Sequence, residues 1–208
     1  MPHRHNLIEL PGMRQLMDHI GLDTLDGLNE QELADIVVFA KQLVEDPDAF
    51  ERTQPLHFTA SAWAVTPDRT KSLYVYHNLY DSWSWIGGHA DGQRDLLAVA
   101  QRELEEETGV RPSRVLMRPI SLEMLTVSGH EKRGQYVSSH LHMNVTYLFE
   151  VDEEQPLKVK PDENSAVRWF PSEEIYERST EPWFIERIYR KIIERLPNAK
   201  GEWKALGR

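Results

Sequence analysis

The sequence predicts a layered α/β (α+β) fold, and three observations carry this. The opening 55 residues follow helical spacing, a β-rich pattern sets in after residue 55, and a strongly helical segment at residues 95–107 interrupts the strands. Met13, Leu16, Met17 and Ile20 stand at i, i+3, i+4 and i+7, one face of a helix. Asn29 is a good N-cap, and Glu32 three residues later completes a capping-box pattern. Leu33, Ile36, Val37, Ala40, Leu43 and Val44 form the apolar stripe of this second helix, which Pro47 ends. The polar stretch Glu51–Pro55 reads as a boundary, so residues 1–55 are expected to be a helical extension on a domain spanning 56–208. Strands are predicted at Phe58–Val65, Ser72–His77, Ser82–Ile86, Val115–Glu123 and Ala166–Phe170, and helices at 172–178 and 182–195. In His140–Phe149 the odd positions Leu141, Met143, Val145, Tyr147 and Phe149 share one strand face. His140, His142, Asn144 and Thr146 share the other.

Composition narrows the function. The 208 residues carry 24 Lys+Arg against 34 Asp+Glu, a formal charge of −10. That balance argues against polymeric nucleic acid or an anionic membrane as partner, since both need a basic face. Cysteine is absent, which excludes a disulfide scaffold and thiolate metal sites and fits a reducing cytoplasm. No run approaches 18 apolar residues, and MPHRHNLIEL lacks the apolar centre of a secretory signal. An acidic protein that handles anions needs local cations, most simply bound metal. Neither composition nor pattern decides between a monomer and a homodimer, and the homodimer stays open.

The stretch Gly87–Val110 carries the chemistry. Asp95 is a plausible N-cap, and Leu97, Ala100 and Leu104 give its helix a buried side. Glu103, Glu106 and Glu107 lie at i, i+3 and i+4, so three carboxylates share one face, and Gly109 is a C-terminal stop. Like charges so placed repel each other. A hard divalent cation such as Mg²⁺ or Mn²⁺ removes that repulsion, because it prefers carboxylate oxygen. Gly87 and Gly88 allow backbone to come close to a ligand. The bland alternative is a solvated acidic helix face.

The surrounding residues favour the first reading. The stretch resembles the Nudix box, G-x5-E-x7-R-E-U-x-E-E-x-G-U, with Gly88, Arg102, Glu103, Leu104, Glu106, Glu107, Gly109 and Val110 in register. Arg94 stands where the motif has its first glutamate, and Ile86 where many members have Pro. In the family that glutamate supports the arginine, so Arg102 needs another partner, for which Asp91 and Asp95 are the candidates. The resemblance extends over about residues 57–178 and implies a Nudix-type α/β/α sandwich with a mixed β-sheet. It further implies hydrolysis of a nucleoside diphosphate linked to another group, by attack of water on phosphorus. Oxidised or non-standard nucleoside triphosphates, ADP-ribose and nucleotide sugars are the candidate substrates.

By position, the resemblance assigns Glu103, Glu106 and Glu107 to Mg²⁺ or Mn²⁺, with two or more ions bridging the diphosphate. It assigns Arg102 to orienting the glutamates and Glu106 and Glu107 to catalysis. Glu163, just before the late strand, is the candidate general base, with an exposed turn carboxylate as the alternative. Gly87, Gly88, His140 and His142 are candidate substrate contacts. The two histidines alone offer no obvious third zinc ligand, which favours a pocket-lining role. Arg133, in His130-Glu-Lys-Arg-Gly134, is a candidate phosphate contact from a loop over the site, with a solvated loop as the alternative. Trp183 lies where some family members stack a base, although packing in a core or an interface is the favoured reading. A non-catalytic nucleotide-sensing module is the alternative function, although it has no need of the full carboxylate face. The prenyl-diphosphate isomerase variant uses a reactive Cys in its usual form, and this chain has none.

Overall fold

The computed structural model describes residues 4–132 and 134–207. The helical start divides into α1 (Arg4–Ile8), α2 (Met13–Ile20) and α3 (Glu30–Glu45). The capping box forms as the sequence predicts: the Asn29 side chain accepts from the Glu32 N–H at 3.0 Å, and the Asn29 N–H donates back to Glu32 at 2.9 Å. The apolar stripe is displaced from the predicted one. Phe39 is fully buried while Val44 is exposed, because the helix rotates to bury Glu32 as well.

Among the described residues, nine strands form one mixed sheet. They are β1 (Leu56–Val65), β2 (Lys71–His77), β3 (Ser82–Ser84), β4 (Ile86–His89), β5 (Arg114–Leu116), β6 (Ser121–Val127), β9 (His140–Glu150), β10 (Asn164–Pro171) and β11 (Trp203–Ala205). The short hairpin β7 (His130–Lys132) and β8 (Gln135–Val137) stands apart, where a loop is predicted. The sheet order is β10-β2-β1-β9-β5-β11, with β4 beside β1 and β6 beside β9. The central pair β1 and β9 is parallel, aligned from Leu56 opposite Leu141 to Val65 opposite Glu150. β1 is buried at every position but its first, as expected for a strand covered on both faces. The predicted strand over 115–123 is two strands, β5 and β6, pairing with different parts of β9. Pro119 lies in the break between them and has no N–H to give a ladder.

Helices cover both faces. Residues of α2, α3 and α4 (Leu96–Thr108) share one apolar cluster with Phe58, Ala60, Ala62, Met143, Val145 and Phe149. The Tyr147 hydroxyl, from the same sheet face, donates to the Ile20 carbonyl at 3.2 Å. On the other face Trp63, Val65, Tyr74 and Leu148 pack with α5 (Ile175–Arg178) and the closing helix. That helix runs from α6 (Pro182–Phe184) through a π turn at Ile185–Tyr189 into α7 (Arg190–Arg195). Among the described residues no helix is long and apolar enough to cross a membrane.

A buried ion network ties the first helices to the last. Glu32, fully buried, lies 2.6 Å from the Arg195 guanidinium and 3.4 Å from the Lys191 ammonium, and Lys191 is 3.0 Å from buried Glu123. Burial alone would raise the Glu32 pKa, but hydrogen bonds from Arg195 and the charges of Lys191 and Arg195 bring it below its ordinary value. Arg195 also donates to the Ile120 carbonyl at 2.7 Å. Removing one partner of a buried pair strands the other charge and costs about 3–5 kcal/mol. Glu32→Ala is therefore expected to destabilise the chain by that order in urea unfolding. A loss below about 1 kcal/mol, the scale of an exposed pair, would contradict the network's structural role.

Candidate active site

Period-two alternation builds the floor of the site. On β1, His57, Thr59 and Ser61 share a face with Trp63 and Val65; on β9, His140, His142 and Asn144 share a face with Leu148. The apolar ends of these rows lie under the closing helix, and Thr59, Ser61, His140, His142 and Asn144 line an open cavity of about 950 Å³. Asn144 joins the floor together. Thr59 and Ser61 donate to its Oδ1 at 3.1 and 2.9 Å, and its amide donates to Glu123 at 3.3 Å and Thr146 at 3.1 Å.

One wall comes from β4 and α4. The Asp95 side chain accepts from the Ala98 N–H at 3.0 Å and starts α4, while Gly109, at φ +76°, ends it with an N–H bond to Glu105. The Gly87 N–H donates to Glu107 Oε1 at 3.1 Å. A Cβ on Gly87 would lie 2.8 Å from the Ala60 carbonyl oxygen, and one on Gly88 would lie 2.5 Å from the Glu103 carboxyl carbon. Glycine at 88 lets the Glu103 carboxylate lie against β4, and glycine at 87 lets β4 lie close against β1.

Glu103, Glu107 and Glu163 bring carboxylate oxygens within 4.8 Å of one another. Glu103 and Glu107 are buried. Burial pushes the Glu107 carboxyl up to about 8 against the opposing Gly87 hydrogen bond, and the charges of Glu163 and Glu103 add to the rise. Burial also raises Glu103, with Arg102 opposing. Glu106 is half exposed and stands beside this group, 3.2 Å from the Lys160 ammonium and 3.8 Å from Arg102. Lys160 is 2.9 Å from Glu163 as well. Burial disfavours its charge, but hydrogen bonds to Glu163 and Glu106 outweigh that and raise its pKa. Three hard oxygen donors at this separation, two of them buried, fit a cation such as Mg²⁺ or Mn²⁺.

Arg102 finds a partner other than the two predicted. It donates to the side-chain oxygen of Gln93, to the His89 carbonyl at 3.1 Å and to Glu103 at 2.8 Å. Asp91 is engaged by Arg52, and Asp95 is engaged as the helix cap. Arg94 turns away, donating to the Pro47 carbonyl at 3.1 Å with its guanidinium over the Phe50 ring. The residue one position before the motif's glutamate thus does the supporting, and Arg94 fastens the N-terminal segment.

His140 and His142 both line the cavity, as Gly87, Gly88 and Glu163 do. Two histidines that spacing does not connect to them, His57 and His89, stand at their sides. Burial, then the neighbouring rings and Arg52, pushes the His142 imidazolium down to about 2. Lys160 and Glu181 are also missed by motif reading, and burial pushes Glu181 up to about 7. His57 joins the group through the β1–β9 register, which spacing along the chain does not contain, and no sequence signal marks Lys160 or Glu181. Trp183 is exposed at the surface, and its neighbour Phe184 lines the cavity with Leu79, Tyr80 and Trp85. Arg133 lies outside the described residues.

Comparison with known proteins bears on the family and the fold. The model of the NUDIX domain matches residues 55–196. A Xenopus laevis protein named m7GpppN-mRNA hydrolase NUDT17 is 32% identical over 111 residues, which is 50% of this chain and 36% of that protein. The match thus spans about a third of that relative's length. Among solved structures, the E. coli dihydroneopterin triphosphate pyrophosphohydrolase superposes with a TM-score of 0.50 at 13% identity, covering 71% of this chain and 97% of that one. A Clostridium perfringens hydrolase of the NUDIX family gives 0.49 at 18% identity over 69% and 98%. At 13% identity the E. coli structure shows a shared fold and nothing finer.

Two expectations follow from the wall. Gly88→Ala displaces the Glu103 carboxylate and weakens Mn²⁺ binding without unfolding the chain; unchanged affinity in calorimetric titration would refute the packing. The folded pKa of Glu107 lies above its ordinary 4.5, so the native state holds the extra proton between that value and about 8. Its contribution to stability is complete below the lower value and is lost as pH rises through the upper. In chelator, denaturant midpoints should therefore fall across this window, and Glu107→Gln should flatten the fall.

Proposed function

The chain belongs to the Nudix family, and on that premise we propose that it is a metal-dependent diphosphohydrolase acting on a nucleoside diphosphate derivative. The observation that carries this reading is the gathering of Glu103, Glu107 and Glu163, with Arg102, on one wall of the large cavity. Glu103, Glu106 and Glu107 would hold Mg²⁺ or Mn²⁺, two ions or more, with Glu163 in reach of the same group. Such ions supply charge neutralisation of the diphosphate and acidify water for attack. Arg102 orients Glu103 through the hydrogen bond between them and is itself aimed by Gln93. Glu163 serves as the base that takes the proton from attacking water, held in place by Lys160. The Gly87–Gly88 turn contacts the substrate, and His140 and His142 line its pocket. Tyr80 and Phe184 offer faces on which a nucleobase stacks.

The candidate substrates are non-standard or oxidised nucleoside triphosphates, ADP-ribose and nucleotide sugars. The acidic, cysteine-free composition supports a small nucleotide in the cytoplasm, with neither polymeric nucleic acid nor membrane as partner. The frog relative's name adds a cap dinucleotide to the substances worth testing. The same reading takes residues 1–55 as a helical extension on a hydrolase domain of 56–208. The shared apolar cluster and the Glu32 ion pairs support their folding as one body.

The test is a nucleotide panel assayed with Mg²⁺, with Mn²⁺ and with chelator. Metal-stimulated release of a nucleoside monophosphate or phosphate is expected. Glu106→Gln and Glu107→Gln should each lower kcat/KM by more than about 100-fold, beyond what loss of a supporting hydrogen bond costs a metal site. Full turnover in both variants would refute the assignment. Phe184→Ala should raise KM on the order of 2–10-fold at unchanged kcat, the mark of lost stacking that acts on ground and transition states alike. A fall in kcat with KM constant would remove Phe184 from base binding.

A further inference from the structure

His57, His89, His140 and His142 come from three strands and place one ring nitrogen each within 4.8 Å of the other three. The register brings them together. His57 on β1 lies opposite His142 on the parallel strand β9, His140 is two residues back on the same face, and His89 on β4 lies opposite Thr59 on the other side of β1. Neighbouring ring centroids are 4.8–5.3 Å apart.

The backbone sets which nitrogens face the group. His57 Nδ1 is 2.6 Å from the Gln54 carbonyl, and His140 Nδ1 is 2.8 Å from the Ser138 carbonyl. Each Nδ1–H donates to a carbonyl and leaves the Nε2 lone pair to the cluster. Metal-ligating histidines are held in this way, with the second nitrogen on a backbone or carboxylate acceptor. His57 is 1% exposed, and its Nε2 is buried with no hydrogen-bond partner. A buried acceptor left so is costly, and a cation at the cluster would satisfy it.

We propose that these four imidazoles form a transition-metal site, separate from the carboxylate wall, that takes Zn²⁺ or a related divalent cation such as Co²⁺ or Ni²⁺. Imidazole nitrogen suits these ions, whereas Mg²⁺ requires oxygen. A tetrahedral ion with bonds of about 2.0–2.1 Å sets its ligand nitrogens roughly 3.4 Å apart. The His140 and His142 Nε2 atoms are 3.0 Å apart, close to that distance, and one ring nitrogen from each of the four lies within 4.8 Å of the others. Arg52, the nearby cation, is neutralised by Asp91. An ion here joins β1, β4 and β9, and it braces the His89 carbonyl that accepts from Arg102. The site does not depend on the hydrolase reading.

The test uses the full chain, stripped by chelator, desalted and titrated with Zn²⁺ or Co²⁺ alone in excess Mg²⁺. The expected result is one tightly held equivalent per chain that Mg²⁺ does not displace, with the visible spectrum of nitrogen-coordinated Co²⁺. Half-buried His140 is the first position to change, because substitution at buried His57 risks the fold. His140→Gln and His142→Gln should each weaken Zn²⁺ binding by at least about 100-fold, with metal-free melting temperatures near the parent's. Glu107→Gln should leave the Zn²⁺ stoichiometry at one. No retained Zn²⁺, retention unchanged in both histidine variants, or loss in Glu107→Gln would overturn the proposal. Loss of hydrolysis in Glu107→Gln with Zn²⁺ still bound separates this site from the carboxylate wall.

Discussion

The close approach of the Gly87–Gly88 backbone to Glu103 and Glu107 is the contact on which the site depends. Two carboxylates are buried here at the expense of their ordinary hydration, and that burial raises the pKa of both. The arrangement holds only because β4 offers an N–H to Glu107 and has no side chain to collide with Glu103. Asp95 sets where α4 begins, and hence which turn of the helix meets the glycines. Arg102 then spans the two elements, bonding the β4 carbonyl at His89 and the α4 carboxylate at Glu103.

Charge is distributed with the same economy elsewhere. Lys160 reaches the acidic wall from the loop before β10 and pairs with the two carboxylates nearest solvent, Glu106 and Glu163. Behind the floor, Asn144 links the hydroxyls of Thr59 and Ser61 to Glu123, and Glu123 meets Lys191 and through it Glu32. A continuous polar path therefore runs from the cavity floor to the junction of α3 and α7. Buried polar chains of this kind stabilise only when every member is satisfied, which makes the path sensitive to change at any point.

Much of the architecture was legible because one periodicity dominates each segment. The alternation in His140–Phe149 separates a core face from a site face, and the structure keeps that division. The capping box at Asn29 and the carboxylate spacing on α4 are local patterns, complete within a few residues. What stayed hidden depends on contacts between distant segments. Glu32 reads as a cap residue, yet its burial is decided by Arg195, 163 positions away. Motif spacing offers Asp91 and Asp95 to Arg102, but Arg52 and the helix cap claim them, which leaves Gln93. The four-histidine group needs the β1–β9 register, which single-chain spacing does not contain.

The central claim is that the carboxylate wall of Glu103 and Glu107, with Glu163 beside it, binds a divalent cation. Anomalous scattering from crystals soaked in Mn²⁺ with a non-hydrolysable nucleotide tests it most directly. The account predicts manganese peaks within coordination distance of Glu103 and Glu107, adjoining Glu163. Manganese bound only elsewhere on the chain, with these side chains still packed as described, would contradict it.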